Sequence, residues 1–375
     1  MAEKVLEQIL AELRGIVSRR YPHRGGLGSI RVLGRVPKKN CTAYDLCADF
    51  EKGTERFVAK VYRPDRCDGI AKTTAQMETA NLRYVHHALR TEELVRVPCL
   101  IGDFSERCAV VTDKICGLSL QPAIMKAAVL PGSGDSGDLA LAASRAGKWL
   151  RRFHKVTAGS HEQLDADGLM AKLAILCEHC RLQGLASDSV EVILARARDV
   201  FSRCGQKTFP TSAVLGNFTP LNIIVTGDGI VFSDFSKMKR SGDSLEDVAT
   251  FMAAVECLAK YPFCSRKMVS QIHESFSNAY GLTRHEAGVV HILKLKILLE
   301  MLAQPKAVRA RAARKTVMWN NVMRRFIHQA VHRPLAPIIG IEAATEDPPR
   351  KWMPLKTSEG RQDPFDKRAI FRITH

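Results

Sequence analysis

Four polar side chains in this sequence are of the types, and in the order, that phosphate and metal chemistry uses. Lys60 stands mid-strand in FVAKVY with apolar neighbours on both sides, so its ammonium enters a sheet face and needs an anion there. Glu78 is the candidate, in a helical stretch whose buried side Met77 and Leu82 are expected to mark. Such a pair can hold the α- and β-phosphates of a nucleotide. The alternative is a lysine that snorkels from an edge strand, with a solvated glutamate. Much later, Asn222 and Asp234 flank a short hairpin turned by Thr226-Gly227-Asp228-Gly229, which brings a carboxamide oxygen and a carboxylate near one another. Hard oxygen ligands of this kind suit Mg2+, which keeps several waters and bridges phosphates.

The elements that must position these groups divide the chain in two. An amphipathic helical pattern and a glycine-rich joint occupy residues 1–28. Strands are expected at 30–33, 42–50 and 56–62, a helix at 71–89, and short apolar runs at 97–101 and 109–112. From about residue 138 the texture is helical, at 139–156, 169–182 and 189–204. The hairpin 223–225 and 230–232 interrupts it, and helices resume at 245–258, 266–280 and 287–302. The expected fold class is α+β, two-lobed, with a small antiparallel β-sheet N-lobe at 29–117 and a larger, mostly helical C-lobe at 118–333. An irregular tail follows at 334–375. A β-rich lobe beside a helical one makes a cleft.

The chain has 375 residues, 46% of them hydrophobic and 25% charged, an ordinary globular composition. Its N-terminal helix interleaves Glu3, Glu7 and Glu12 with apolar residues, unlike a signal peptide, and Lys294, Lys296 and Glu300 break the longest apolar stretch. Eleven scattered cysteines point to a reducing compartment, and cytoplasm is the expected location. The one CxxC, Cys177 and Cys180, lacks a second ligand pair and reads as two packed helix thiols. The net charge is +17, and residues 306–333 carry eight Lys or Arg with no Asp or Glu. That segment is expected to face an anionic substrate or, peripherally at the inner membrane face, anionic lipid, with a solvated basic surface as the alternative. Nucleic acid is the least expected partner.

On these residues the sequence resembles the aminoglycoside phosphotransferase-like branch of the protein-kinase-like superfamily. LGNFTPLN at 215–222 is similar to that family's HGDxxxxN, and SDF at 233–235 to its (I/V)DF. Lys60 and Glu78 match the strand lysine and helix glutamate. VVTDKICGLSL at 110–120 resembles the hinge, GKWLRRFHKV at 147–156 the helix supporting the catalytic loop, and GDSLEDVATF at 242–251 the segment whose aspartate, here Asp247, braces that loop. The resemblance implies a kinase-like fold that moves the γ-phosphate of ATP (or GTP) to a hydroxyl of a small molecule or saccharide. Lys60, Glu78, Asp113, Ile115, Lys38 and Lys39 would bind the nucleotide, and Asn222 and Asp234 the Mg2+. Asn217 stands where the family has its catalytic aspartate, Leu215 replaces the histidine before it, and the loop GRVPKKN at 34–40 has one glycine and two lysines. Asparagine takes no proton near neutral pH, so the expectation is a slow enzyme whose Asn217 orients the acceptor, or a pseudokinase that binds without turnover. A polycationic drug as acceptor is hard to reconcile with a charge of +17.

Overall fold

The computed structural model describes residues 2–38, 40–63, 68–90, 96–129, 136–204, 208–259, 261 and 263–303. Lys39, the basic segment 306–333 and the tail from 334 lie outside the described residues.

Helix α1 (Ala2–Arg20) leads into β1 (Leu27–Pro37), β2 (Cys41–Phe50) and β3 (Gly53–Tyr62), then α2 (Asp68–Ala88), β4 (Leu100–Phe104) and β5 (Ala109–Asp113). The strands form one antiparallel sheet in the order β1-β2-β3-β5-β4. Strand alternation gives it two apolar faces. Phe57, Ala59, Val61, Ala109 and Val111 face α1, which buries Leu6, Ile9, Leu13 and Val17 against them. Lys60 and Val110 are cross-strand partners, and Tyr62 and Val110 join the core shared with α2 and the helices that follow. Fully burying each such side chain contributes about 1.5–3 kcal/mol, enough to fix the sheet between its two covers.

The sequence pattern misplaces one face of α2. Its buried stripe is Ala71, Ala75, Glu78, Leu82 and Val85, whereas Met77 is 44% exposed. Residues 71, 75, 78, 82 and 85 follow the alternating four- and three-residue step of one helix face, and position 77 is turned about 100° from Glu78.

Beyond β5 come β6 (Leu118–Ser119), α3 (Leu120–Val129), α4 (Ser136–Val156), β7 (His161–Gln163), α5 (Ala166–Leu182) and α6 (Ser187–Cys204). Then follow β8 (Thr208–Val214), β9 (Ile223–Val225), β10 (Ile230–Phe232), β11 (Lys239–Asp243), α7 (Leu245–Leu258), α8 (Arg266–Tyr280) and α9 (Arg284–Ala303). Two three-stranded sheets, β10-β9-β6 and β11-β8-β7, lie among these helices. Helices α4 and α8 cross closely because Gly147 has no side chain: a Cβ there would lie 2.4 Å from the Phe276 carbonyl. Among the described residues no helix is long and apolar enough to cross a membrane.

Candidate functional site

The middle strand of the first sheet delivers Lys60 into the interior, 8% exposed. Its Nζ donates to Glu78 Oε1 at 2.5 Å and to the Ser233 carbonyl at 2.8 Å. Tyr62, two residues on and on the same face, donates its hydroxyl to the other Glu78 oxygen. Burial pushes the lysine down, but Glu78 and Asp234 outweigh it and hold its value above the ordinary one, so the ammonium stays charged. The Tyr62 hydroxyl is raised by burial and by Glu78, so it remains a donor. Lys60 thus spans from α2 to the residue preceding Asp234.

The loop between β8 and β9 is fixed from beneath. Asp247, fully buried near the start of α7, accepts the Leu215 amide at 2.7 Å and the Gly216 amide at 2.9 Å. His154 stands between Asp247 Oδ2 (3.2 Å) and the Tyr280 hydroxyl (3.0 Å). With Nε2 donating to the carboxylate, Nδ1 accepts from the tyrosine. Gly216 has φ of +68°, and a Cβ there would meet the Lys237 carbonyl at 2.8 Å; this position requires glycine. Phe218, Phe232 and Phe235, fully buried beside Asn217 and Asp234, lock the same segments by packing.

At the surface of this platform three sequence-predicted residues meet. Asn217 Nδ2 donates to Asp234 Oδ2 at 3.0 Å, and Asn222 Nδ2 donates to the Asn217 carbonyl at 3.1 Å. The Asn222 carbonyl accepts both the amide and the hydroxyl of Ser233 at 3.0 Å. Asp234 Oδ1 accepts from the Ser236 amide at 3.2 Å and its hydroxyl at 2.7 Å. Burial pushes the Asp234 carboxyl up, yet Lys60, Ser236 and Asn217 together hold it below the usual carboxylate range. Since an ionised carboxylate only accepts, the Asn217 amide group must face it, and Asn217 Oδ1 points elsewhere.

The segment joining the two halves is anchored by ions. Asp45 accepts from Arg56 through both oxygens and from Lys114. Asp113 turns its carboxylate onto the Cys99 amide, and the Ile115 amide makes no backbone hydrogen bond among the described residues. Gly117 closes against β9, where a Cβ would lie 2.2 Å from the Val225 carbonyl. Lys38 is exposed at the β1–β2 turn, its amide donating to the Cys41 carbonyl. Cys177 and Cys180 are core residues whose thiols burial pushes up to about 11 and about 12.

Sequence reasoning passed over Tyr62 and Asn81. Asn81, 5% exposed, donates to the carbonyls of Phe235 at 2.9 Å and Met238 at 3.0 Å. The signal was present: Asn81 lies three residues beyond Glu78, on the same buried stripe.

No family model matches the sequence, and a search of curated proteins finds no match. Solved structures do match in shape. The GDP complex of wild-type aminoglycoside 2'-phosphotransferase-IIIa superposes with a TM-score of 0.50 at 12% identity, over 86% of this chain and 98% of that one. This chain has the aminoglycoside phosphotransferase-like fold. Glucosamine kinase in complex with glucosamine, ADP and inorganic phosphate is also similar, with a TM-score of 0.49 at 12% identity over 80% of this chain and 94% of that one. In this protein-kinase-like, two-lobed architecture the antiparallel sheet with Lys60 forms the small lobe, and the helices that carry the 215–222 loop form the large one.

Proposed function

We propose that the chain is a phosphotransferase that uses ATP or GTP with Mg2+ and transfers the γ-phosphoryl group to a hydroxyl of a small molecule or saccharide. The observation that carries this reading is the continuous set of contacts from Glu78 through Lys60 to Ser233, and from Asp234 through Asn217 to Asn222. It joins a cation suited to phosphates with oxygen donors suited to Mg2+. The donor set fits that ion: Asp234 is ionised, and the amide of Asn222 is engaged, which leaves its Oδ1 as the ligand atom. Among the described residues no group of three or more His, Cys, Asp or Glu side chains could hold a metal, so an ion here would complete its shell with phosphate oxygens and water.

When bound, the ion supplies charge neutralisation across the phosphates. Lys60 would hold the α- and β-phosphates. The nucleotide base would meet the backbone of the 113–115 segment, including the Ile115 amide, because the Asp113 side chain is committed to Cys99. Lys38 and Lys39 would reach phosphates from the β1–β2 turn. Asn217 Oδ1 would accept the hydrogen of the acceptor hydroxyl and aim its oxygen. As the new oxygen–phosphorus bond forms, the bond to the bridging oxygen of the leaving diphosphate breaks. The hydroxyl proton leaves to water or to the transferred phosphoryl group, since an amide oxygen is too weak a base. Positioning and electrostatics carry most of such a loose transition state.

A pseudokinase is the second reading, and the Asn217–Asp234 hydrogen bond favours it, because it engages the metal carboxylate with a neutral donor. Thermal stability measured against a nucleotide panel, with and without Mg2+, tests the shared premise. A Mg2+-dependent rise in Tm is expected, lost in Lys60→Ala and Asp234→Ala. No shift with any nucleotide would remove the phosphotransferase reading and leave only a pseudokinase that binds a partner without nucleotide.

A further inference from the structure

We propose that Asn81 is a positioning residue for the metal site, acting through the 233–238 turn rather than by contact with ligand. The inference rests on the nucleotide and Mg2+ reading above. Asn81 is buried on the face of α2 that also presents Glu78, and its single NH2 group spends one hydrogen on the Phe235 carbonyl and the other on the Met238 carbonyl. Those carbonyls bracket Ser236, whose amide and hydroxyl hold Asp234 Oδ1. Its backbone-to-backbone closure, from the Met238 amide to the Phe235 carbonyl, is long at 3.3 Å.

Two tethers therefore tie the metal segment to α2. One runs from Glu78 through Lys60 to the Ser233 carbonyl, before Asp234; the other runs from Asn81 to the carbonyls after it. With both in place, the Asp234 backbone cannot shift without moving the helix. Mg2+ requires near-ideal octahedral geometry at about 2.0–2.1 Å, so a few tenths of an ångström at Asp234 matter. A buried carboxamide must satisfy its NH2 group, and Asn81 does so with both hydrogens on this one turn.

The test compares the full chain with Asn81→Ala, with Asn81→Ser, which keeps one donor, and with Val85→Ala, a fully buried position on the same helix whose apolar side chain can make no hydrogen bond to the turn. Mg2+ is titrated at fixed ATP or GTP with the nucleotide-induced Tm shift as readout, and backbone hydrogen exchange of residues 233–240 is followed without nucleotide. Asn81→Ala is expected to raise the half-saturating Mg2+ concentration by about 10- to 100-fold, as loss of outer-shell support does at metal sites. Asn81→Ser should recover part of this, and Val85→Ala should leave it within about twofold while lowering Tm. Exchange in 233–240 should quicken in Asn81→Ala relative to α8 and not in Val85→Ala. Equal effects of Asn81→Ala and Val85→Ala on both readouts would overturn the proposal. If the wild-type chain shows no nucleotide shift, the phosphotransferase reading falls, and the exchange comparison still decides whether Asn81 fixes the turn.

Discussion

Asn217 is where the chemistry of a single side chain divides two functions. Its amide donates to Asp234 at 3.0 Å. An aspartate in its place would set two carboxylates at about that separation, and like charges so close do not both ionise without a cation between them. Asn217→Asp should therefore lower Tm in the absence of Mg2+ and respond more strongly than wild type when Mg2+ and nucleotide are added. If the protein transfers phosphate, the restored base should raise the rate by about 10² to 10⁴ on the same acceptor. A stronger Mg2+ response with no turnover against any hydroxyl acceptor would leave the pseudokinase reading standing. The contacts that set this residue were partly legible beforehand, because the 217, 222 and 234 spacing around a short hairpin constrains where the oxygens lie. The donor role of the Asn217 amide was not legible, since amide orientation depends on the ionised partner it meets.

At the scale of elements, legibility followed locality. Helix α8 coincides with its sequence pattern because its ends carry local signals: Ser265 caps it by accepting the Met268 amide, and Gly281 leaves it in a left-handed conformation. Strands β7 and β11 went unread. Strand β11 is KRSGD, without an apolar residue, and is a strand only because β8 pairs with it across about thirty intervening residues. Helix α1 was read as an amphipathic helix, but its place as the outer cover of the β-sheet depends on long-range packing. Leu13, with no exposed surface, sits at that contact. Leu13→Ala should cost about 2–5 kcal/mol in denaturant unfolding, and a loss under 1 kcal/mol would mean that α1 contributes little to the small lobe. Helix α9 supplies a pH-dependent element. His291 is pushed down to about 3 by burial, with Lys294 and Arg196 adding to it and Glu256 opposing. Its Nε2 has no hydrogen-bond partner among the described residues. The unfolded chain takes up this proton near its ordinary value of about 6.5 and the folded chain resists, so the stability is complete above that value and is lost as pH falls toward 3. Discounted for partial exposure, the loss by pH 4 is about 1–2 kcal/mol. His291→Gln should flatten the stability profile between pH 6.5 and 4; an unchanged slope would show that other groups set the acid limb.

For the whole molecule, the net charge of +17 is a property of no single site, and eight of its Lys and Arg residues fall in 306–333 without a carboxylate. A charge of this size acts on partners over a Debye length, about 8 Å at physiological salt, and leaves the fold to other forces. The phosphotransferase reading and an anionic lipid surface make different demands on it. Each Lys or Arg near an anionic leaflet contributes about 1 kcal/mol, so eight together suffice for peripheral binding without any spanning helix. We expect the full chain to sediment with vesicles containing phosphatidylserine at low ionic strength, to be released near 0.5 M salt, and to ignore vesicles of phosphatidylcholine alone. Lys60→Ala should bind the vesicles as wild type does, because that ammonium is buried and already paired. Retention that required Lys60 would place the anion site in the cleft. If no vesicle holds the chain at low salt, the basic segment has no role at a lipid surface. A rise of acceptor KM with ionic strength would then assign the charge to an anionic acceptor, and a KM indifferent to salt would leave it as a solvated face.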